Sequence, residues 1–358
     1  MSGAVFPGLV GRLPDQDVWE AGVQMSWDVD LFGERRRTLS ARGGLLEAAG
    51  EDVRDARVLL AAEVAGSYVR LLGAQDRLAV ARSNAENQRR TLEVTQDRLG
   101  AGRGTALDTE LASAQLSSTL AAIPAGTAGQ HRLSALLGRE PGTVVERRAG
   151  ERSAWPLPPS PASGAREAAL RERPDVLAAE RRLEAAGDFV GAARAAYLPR
   201  ISLRGAAGYT ASAFHGIGDT GTPRYAVGPV LSWPLLDIGR VRSDVDRARA
   251  ERSEAEARHE YVVLQARAEL ATAEAEYARA RERLAHLEAA AEASGRATDL
   301  ARLRFTEGAG DFLEVLDAER RLLEAEDRLA DGRTAAADAL VSVYRALGVE
   351  WWGAGPRR

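Results

Sequence analysis

Residues 18–31, VWEAGVQMSWDVDL, alternate apolar and polar side chains. Trp19, Ala21, Val23, Met25, Trp27, Val29 and Leu31 fall on one face. Glu20, Gly22, Gln24, Ser26, Asp28 and Asp30 fall on the other. A period of two predicts a β-strand with one apolar and one polar face. The run exceeds the usual strand of ~5–6 residues. It is long enough for a strand in a membrane barrel wall, which needs ~9–11 residues. Two more strands are predicted at 197–211 and 222–236, joined by the glycine-rich polar loop SAFHGIGDTGTP. Trp19, Trp27, Tyr197, Tyr209, Tyr225 and Trp233 sit near strand ends, where a membrane barrel carries its aromatic girdles.

After the first strand the period changes. Residues 34–99 contain no proline and carry a seven-residue ladder: Val64, Leu71, Leu78, Ala85, Leu92, Leu99. Residues 239–305 carry a second ladder: Leu270, Tyr277, Leu284, Ala291, Thr298, Phe305. Strict seven-residue spacing predicts long helices packed as coiled coils. At ~1.5 Å per residue each would reach roughly 100 Å. Both end in glycine-bearing turns, RLGAGRGT at 98–105 and RFTEGAGD at 304–311. Thr105 and Asp311 are placed to cap the helices that return, over 106–138 and 311–347. Pro124 is expected to kink or break the first of these.

The chain also repeats itself. At an offset of 206 residues Gly22 meets Gly228, Trp27 meets Trp233 and Gly33 meets Gly239. Arg98 meets Arg304, Gly102 meets Gly308, Gly104 meets Gly310 and Leu107 meets Leu313. A constant offset implies one strand–long helix–turn–helix module built twice. Residues 1–17 form a start without predicted structure, 18–138 the first repeat and 139–163 a Pro-rich linker. The second repeat covers 164–350. It comprises a short helix (165–172), a helix at 174–196 opening on Pro174, the strands 197–211 and 222–236, the long helix and its return. Residues 351–358 are a tail. The fold class is therefore mainly α with a small membrane β-hairpin part.

Composition sharpens this picture. Aromatic residues make up 5% of the 358 residues and charged residues 28%, which suits long helices better than an ordinary globule. The net charge of -4 gives no general pull toward nucleic acid. Cysteine is absent, which excludes disulfides, thiolate metal sites and a cysteine nucleophile. No run of 18 apolar residues predicts a membrane-spanning helix. The four histidines, His131, His215, His259 and His286, are scattered without metal-ligand spacing. GAGRGT at 100–105 lacks the GK[ST] of a phosphate loop and follows a helix, so it reads as a helix–helix turn. No catalytic constellation, cofactor or metal is expected.

Several segments together resemble the outer-membrane efflux protein family, the TolC/OprM-like channels. They are SWDVDLFGERR at 26–36, RPDVLAAERRLEAA at 173–186, YLPRISL at 197–203 and WPLLDIGRVR at 233–242. RFTEGAGDFLEVLDAERRLLEAE at 304–326 and LLGREPG at 136–142 complete the set. The chain is most similar to the lipoprotein branch that partners RND-type pumps. This resemblance implies a homotrimer with strands in an outer-membrane barrel, in contact with outer-membrane lipid, and helices in a periplasmic α-barrel. It implies tips at Arg98, Gly102, Gly104, Thr105, Arg304, Gly308, Gly310 and Asp311 that meet a periplasmic adaptor protein. It implies a constriction at Leu313 and Asp317, whose counterparts Leu107 and Leu111 supply no second carboxylate ring. Asp317 could instead simply pair with Arg320 or Arg321. The implied role is passive exit of drugs or small solutes, driven by an inner-membrane pump.

At the same offset, residue 1 corresponds to residue 207. The family's signal peptide, its lipidated cysteine and the counterparts of 174–211 are then expected upstream of Met1. Three other readings stand beside the channel. A periplasmic adaptor would carry one hairpin with flanking β domains. A coiled-coil scaffold would explain the heptads but not the strands. A truncated relic would keep its helices without a competent barrel.

Overall fold

The computed structural model describes residues 17–121, 134–140 and 166–348. Pro124, residues 141–163 of the linker, the first sixteen residues and the tail lie outside the described residues. The chain divides into two compact units, Met1–Glu47 with Arg181–Ala257 and Ala48–Glu180 with Arg258–Arg358.

The first unit holds a three-stranded antiparallel sheet in the order β1 (Trp19–Val29), β2 (Arg200–Ala211), β3 (Pro223–Ser232). Its register keeps the period-two pattern in phase across all three strands. Trp27 lies opposite Leu203, and Leu203 opposite Pro229; Val23 lies opposite Ala207, and Ala207 opposite Tyr225. Two strands are shorter than the alternation suggests. β2 starts at Arg200 because Pro199 has no N–H and the preceding helical turn still binds Leu198 N–H to the Ala195 carbonyl at 3.0 Å. β3 stops at Ser232, just before Pro234.

The turn out of β1 is built by the SWDVDLFGERR segment. Gly33 takes a φ of +77°, which suits a residue without Cβ. The Asp30 carboxylate accepts the backbone N–H of Arg36 at 2.9 Å and of Arg35 at 3.2 Å, capping helix α1 (Glu34–Gly100). Those donors, with the Arg36 guanidinium, hold the Asp30 carboxyl below its usual range. Helix α4 (Pro174–Ala195) packs on the start of α1 through small residues. A Cβ on Gly44 would sit 3.4 Å from Ala185 Cβ, and Arg37 donates to the Gly191 carbonyl at 2.9 Å.

The second unit is helical. Helix α5 (Ile238–Thr306) and helix α6 (Phe312–Ala346) form an antiparallel hairpin. Its core joins Leu270, Ala273 and Tyr277 of α5 to Leu340, Val343 and Ala346 of α6 and to its C-cap Leu347. The short helix α3 (Arg166–Arg171) adds Ala169 and Leu170. Helix α2 (Ala106–Ala121) returns from α1. Both predicted ladders face inward: Leu71, Ala85, Leu270, Tyr277, Ala291 and Thr298 are buried, while Leu99 at the end of α1 is exposed. The helices approach closely. A Cβ on Gly73 would fall 2.1 Å from Thr334 Oγ1.

Arg173 explains the RPDV segment. It is 7% exposed, donates to the Ala346 carbonyl at 2.7 Å, and pairs with Asp175 at 2.7 Å and Glu269 at 3.0 Å. Half-buried Asp55 of α1 shares this neighbourhood. Desolvation, and then the Asp175 charge, raises its carboxyl above the usual range, with Arg173 partly offsetting both. A raised acid favours the fold below the unfolded-state pKa and opposes it once the folded-state pKa is passed. Asp55→Asn should therefore raise the unfolding midpoint near neutral pH and leave it unchanged at roughly pH 3, below the ordinary Asp pKa. Chemical unfolding of both proteins in detergent at the two pH values measures this.

Candidate functional site

Two regions carry the chemistry a channel would need: a sheet face in the first unit and the helical tips in the second.

On the sheet, most of the apolar face is uncovered, although Ala211 is buried. Val23 is 75% exposed, Trp27 63%, Tyr225 89% and Val227 77%. The opposite face is polar, with Glu20 beside Thr210, Ser26 beside Arg204 and Asp28 beside Ser202. Arg224 lies 3.8 Å from Glu20 on that side. A contiguous apolar face this exposed marks contact with lipid or protein. Combined with a polar reverse face, it is the alternation of a membrane barrel wall.

The aromatic residues collect at the two ends. Trp19, Tyr209 and Tyr225 lie toward the β2–β3 loop, and Phe214 of that loop meets Trp19 edge-on at 5.4 Å. Trp27, Tyr197 and Trp233 lie toward the helices, where Trp233 Nε1 donates to the Tyr197 carbonyl at 3.1 Å. The eight steps from Trp19 to Trp27 span about 27 Å of strand. That is comparable with the ~25 Å apolar band between two girdles. Sequence pattern alone missed Phe214, which belongs to no periodic run.

The two tips are the same structure. At the first, Gly102 N–H binds the Leu99 carbonyl at 3.0 Å and Arg103 N–H the Arg98 carbonyl at 2.8 Å. At the second, Gly308 N–H binds Phe305 at 3.1 Å and Ala309 N–H binds Arg304 at 2.8 Å. This is the Schellman pattern, with Gly102 and Gly308 at φ +70° and +75°. Gly104 and Gly310 follow where the chain folds back onto its helix; an added Cβ would lie 3.1 Å from Leu99 N and from Arg304 Cβ respectively. The return helices are capped differently. Thr105 and Asp108 exchange bonds at 3.1 and 3.2 Å as a capping box, whereas the Asp311 carboxylate accepts Leu313 N–H at 3.5 Å.

Arg98 links the tips. Its Nη1 donates to the Phe305 carbonyl at 2.7 Å and its guanidinium lies 4.1 Å from the Phe305 ring centroid. Phe305 in turn meets buried Phe312 at 5.6 Å. Arg304 pairs with Glu314 at 3.4 Å. Leu313 is 52% exposed on the first turn of α6. Asp317, one turn on, is partly exposed and pairs with Arg320 at 3.0 Å and Arg321 at 2.8 Å. The Arg320 hydrogen bond, and then the Arg321 charge, holds its carboxyl below the usual range.

A second ladder, missed from sequence, ties α1 to α6. Arg70 reaches Asp338 at 3.3 Å, Arg77 reaches Asp327 at 2.7 Å, Asn84 reaches Glu326 at 2.7 Å and Thr91 reaches Glu319 at 2.7 Å. The four α1 donors stand seven apart, one position before the apolar ladder. The last rung is buried: Glu319 is 3% exposed and also takes Arg302 of α5 at 2.9 Å.

An exposed apolar sheet face in one unit and a twice-built helical hairpin in the other are the two features a membrane duct protein would need. The chain belongs to the outer membrane efflux protein family, whose pattern matches residues 11–138 and 165–349. It is 33% identical to outer membrane protein OprJ of Pseudomonas aeruginosa over 91% of this chain and 68% of that one. It is 29% identical to the pyoverdine export outer membrane protein OpmQ of the same organism, over 94% of this chain and 71% of OpmQ. The solved outer-membrane channel OprN superposes with a TM-score of 0.84 at 37% identity, covering 97% of this chain and 79% of that one. The protein is thus an outer-membrane exit channel component of efflux, with a helical extension into the periplasm.

The rungs differ in what they contribute. Half-exposed ion pairs such as Arg77–Asp327 contribute about 0–1 kcal/mol. Stranding a buried carboxylate costs roughly 3–5 kcal/mol. Arg302→Met should therefore destabilise the helical unit by ~3 kcal/mol, and Arg77→Met by under about 1 kcal/mol. Chemical unfolding in detergent, followed by helical signal, checks that order.

Proposed function

We propose that the chain works as a homotrimer, one component of a tripartite pump with a periplasmic adaptor and an RND-type inner-membrane transporter. The observation that carries this reading is the sheet: one face is apolar and mostly uncovered, and β1 and β3 each end the sheet with an unpaired edge among the described residues. Open edges are not tolerated in lipid, so strands of other copies would complete the wall. Helix α1 supports the same reading, with Leu39, Leu46, Val53 and Leu60 exposed at seven-residue spacing, as an outward coiled-coil seam requires.

In this assembly the repeats, 18–138 and 164–350, alternate around a periplasmic tunnel. The tips at Arg98, Gly102, Gly104, Thr105, Arg304, Gly308, Gly310 and Asp311 meet the adaptor's helical hairpin. Leu313 and Asp317 form the constriction, with three carboxylates near the axis. Efflux is passive through the duct, and small solutes or drugs are the cargo.

The Arg320 hydrogen bond and the Arg321 charge hold the Asp317 carboxyl below its ordinary range, so the carboxylate is charged at neutral pH. Asp317→Ala should change single-channel conductance in planar bilayers and abolish sensitivity to multivalent cations added on the tip side. The wild-type sensitivity should hold flat from neutral pH down to the ordinary carboxylate range. Identical conductance and cation block in wild type and variant would remove Asp317 from the constriction.

A further inference from the structure

We infer that Arg304 closes a seam between chains, docking its guanidinium on the Leu99 carbonyl and side chain of a second copy. The inference rests on the ring assembly proposed above and adds the atoms of its tip contact.

The template lies within one chain. Arg98 donates to the Phe305 carbonyl at 2.7 Å and covers the Phe305 ring at 4.1 Å. Arg98 and Leu99 stand 206 residues before Arg304 and Phe305, and the turns that follow carry the same backbone bonds. Each tip therefore offers a guanidinium on one side and a carbonyl with an apolar side chain on the other. A single chain makes one such joint, from the first tip to the second. It leaves the complementary halves over: Arg304 of the second tip and Leu99 of the first.

Both halves have bonding capacity left. A carbonyl oxygen has two lone pairs. The Phe305 carbonyl uses both, accepting Gly308 N–H at 3.1 Å and Arg98 at 2.7 Å. The Leu99 carbonyl accepts Gly102 N–H at 3.0 Å, and no side chain donates to it among the described residues. Leu99 is 39% exposed, while Phe305 is half-buried beneath Arg98. Arg304 meanwhile rests on its own turn. It sits 3.4 Å from exposed Glu314 and donates to the Ala309 carbonyl at 3.3 Å, an exposed arrangement that contributes little.

Contacts between unlike surfaces, repeated head to tail, close into rings when the rotation permits. Two like modules with one joint inside the chain leave one head-to-tail joint of the same kind to be made between chains. The two joints differ in one respect. Leu99 has no π-face, so the joint between chains lacks the cation–π attraction of the joint within the chain. The seam between chains is then the weaker link of the ring.

The chain contains no cysteine, so introduced thiols are unique. Chains carrying Leu99→Cys would be co-expressed with chains carrying Arg304→Cys, extracted in detergent and treated with a short bismaleimide. Only a contact between chains can then link the two. The expected result is a covalent two-chain band in the mixed sample and none from either variant alone. A parallel pair tests function of the side chain: Arg304→Gln lowers the temperature at which the oligomer dissociates, and Arg304→Lys restores part of it. An oligomeric mass by light scattering without the two-chain band, and without a dissociation shift, overturns the contact and leaves the ring standing. A single-chain mass for the unaltered protein overturns the ring, and the contact with it.

Discussion

A sheet that cannot satisfy its own edges sets the terms for this protein. β1 and β3 each present a row of backbone donors and acceptors with no partner among the described residues. In water such edges would be covered or charged. Here they flank an apolar face bearing Val23, Met25, Trp27, Tyr225 and Val227, all exposed. Lipid can cover that face but cannot hydrogen-bond the edges. Other strands must do so. The reverse face is polar, with Glu20, Arg204 and Arg224. Aromatic residues gather at both ends of the sheet, around Trp19 and around Trp233.

The helices meet a different demand, that of holding α6 in register along α1 and α5. Buried apolar residues at seven-residue spacing attract without fixing position along the axis, because alanine and leucine rungs are alike. The polar ladder is what distinguishes one register from the next. Arg77 and Asp327, or Asn84 and Glu326, meet in only one alignment. Their half-exposed bonds add little stability. That combination fixes alignment at little cost in stability along the helix that carries Leu313 and Asp317 near the tip. The buried Glu319, with Arg302 and Thr91, is the firmest rung of the ladder.

Much of this was legible in the sequence because it is periodic. Eleven alternating residues in β1 leave little choice of element, and the register places those positions on one face across three strands. The ladder residues Leu71, Ala85, Leu270, Tyr277 and Thr298 are buried as their spacing implies. The glycine turns were readable because Gly102 and Gly308 occupy positive φ at helix ends. Asp317 pairs with Arg320 and Arg321, as their spacing of three and four residues allows. Strand limits were less clear, since Pro199 and Pro234 interrupt pairing without interrupting alternation. The polar ladder and the Arg98–Phe305 joint were invisible. Their partners lie 207 to 268 residues apart, and nothing local announces them.

The claim on which the rest turns is that the sheet's edges are paired in the membrane. Amide hydrogen exchange on the protein in outer-membrane lipid tests it most directly. A closed wall predicts that Trp19–Val29 and Pro223–Ser232 exchange as slowly as the central strand, Arg200–Ala211. Slow exchange confined to the central strand, with outward amides of both outer strands exchanging freely, would contradict the account.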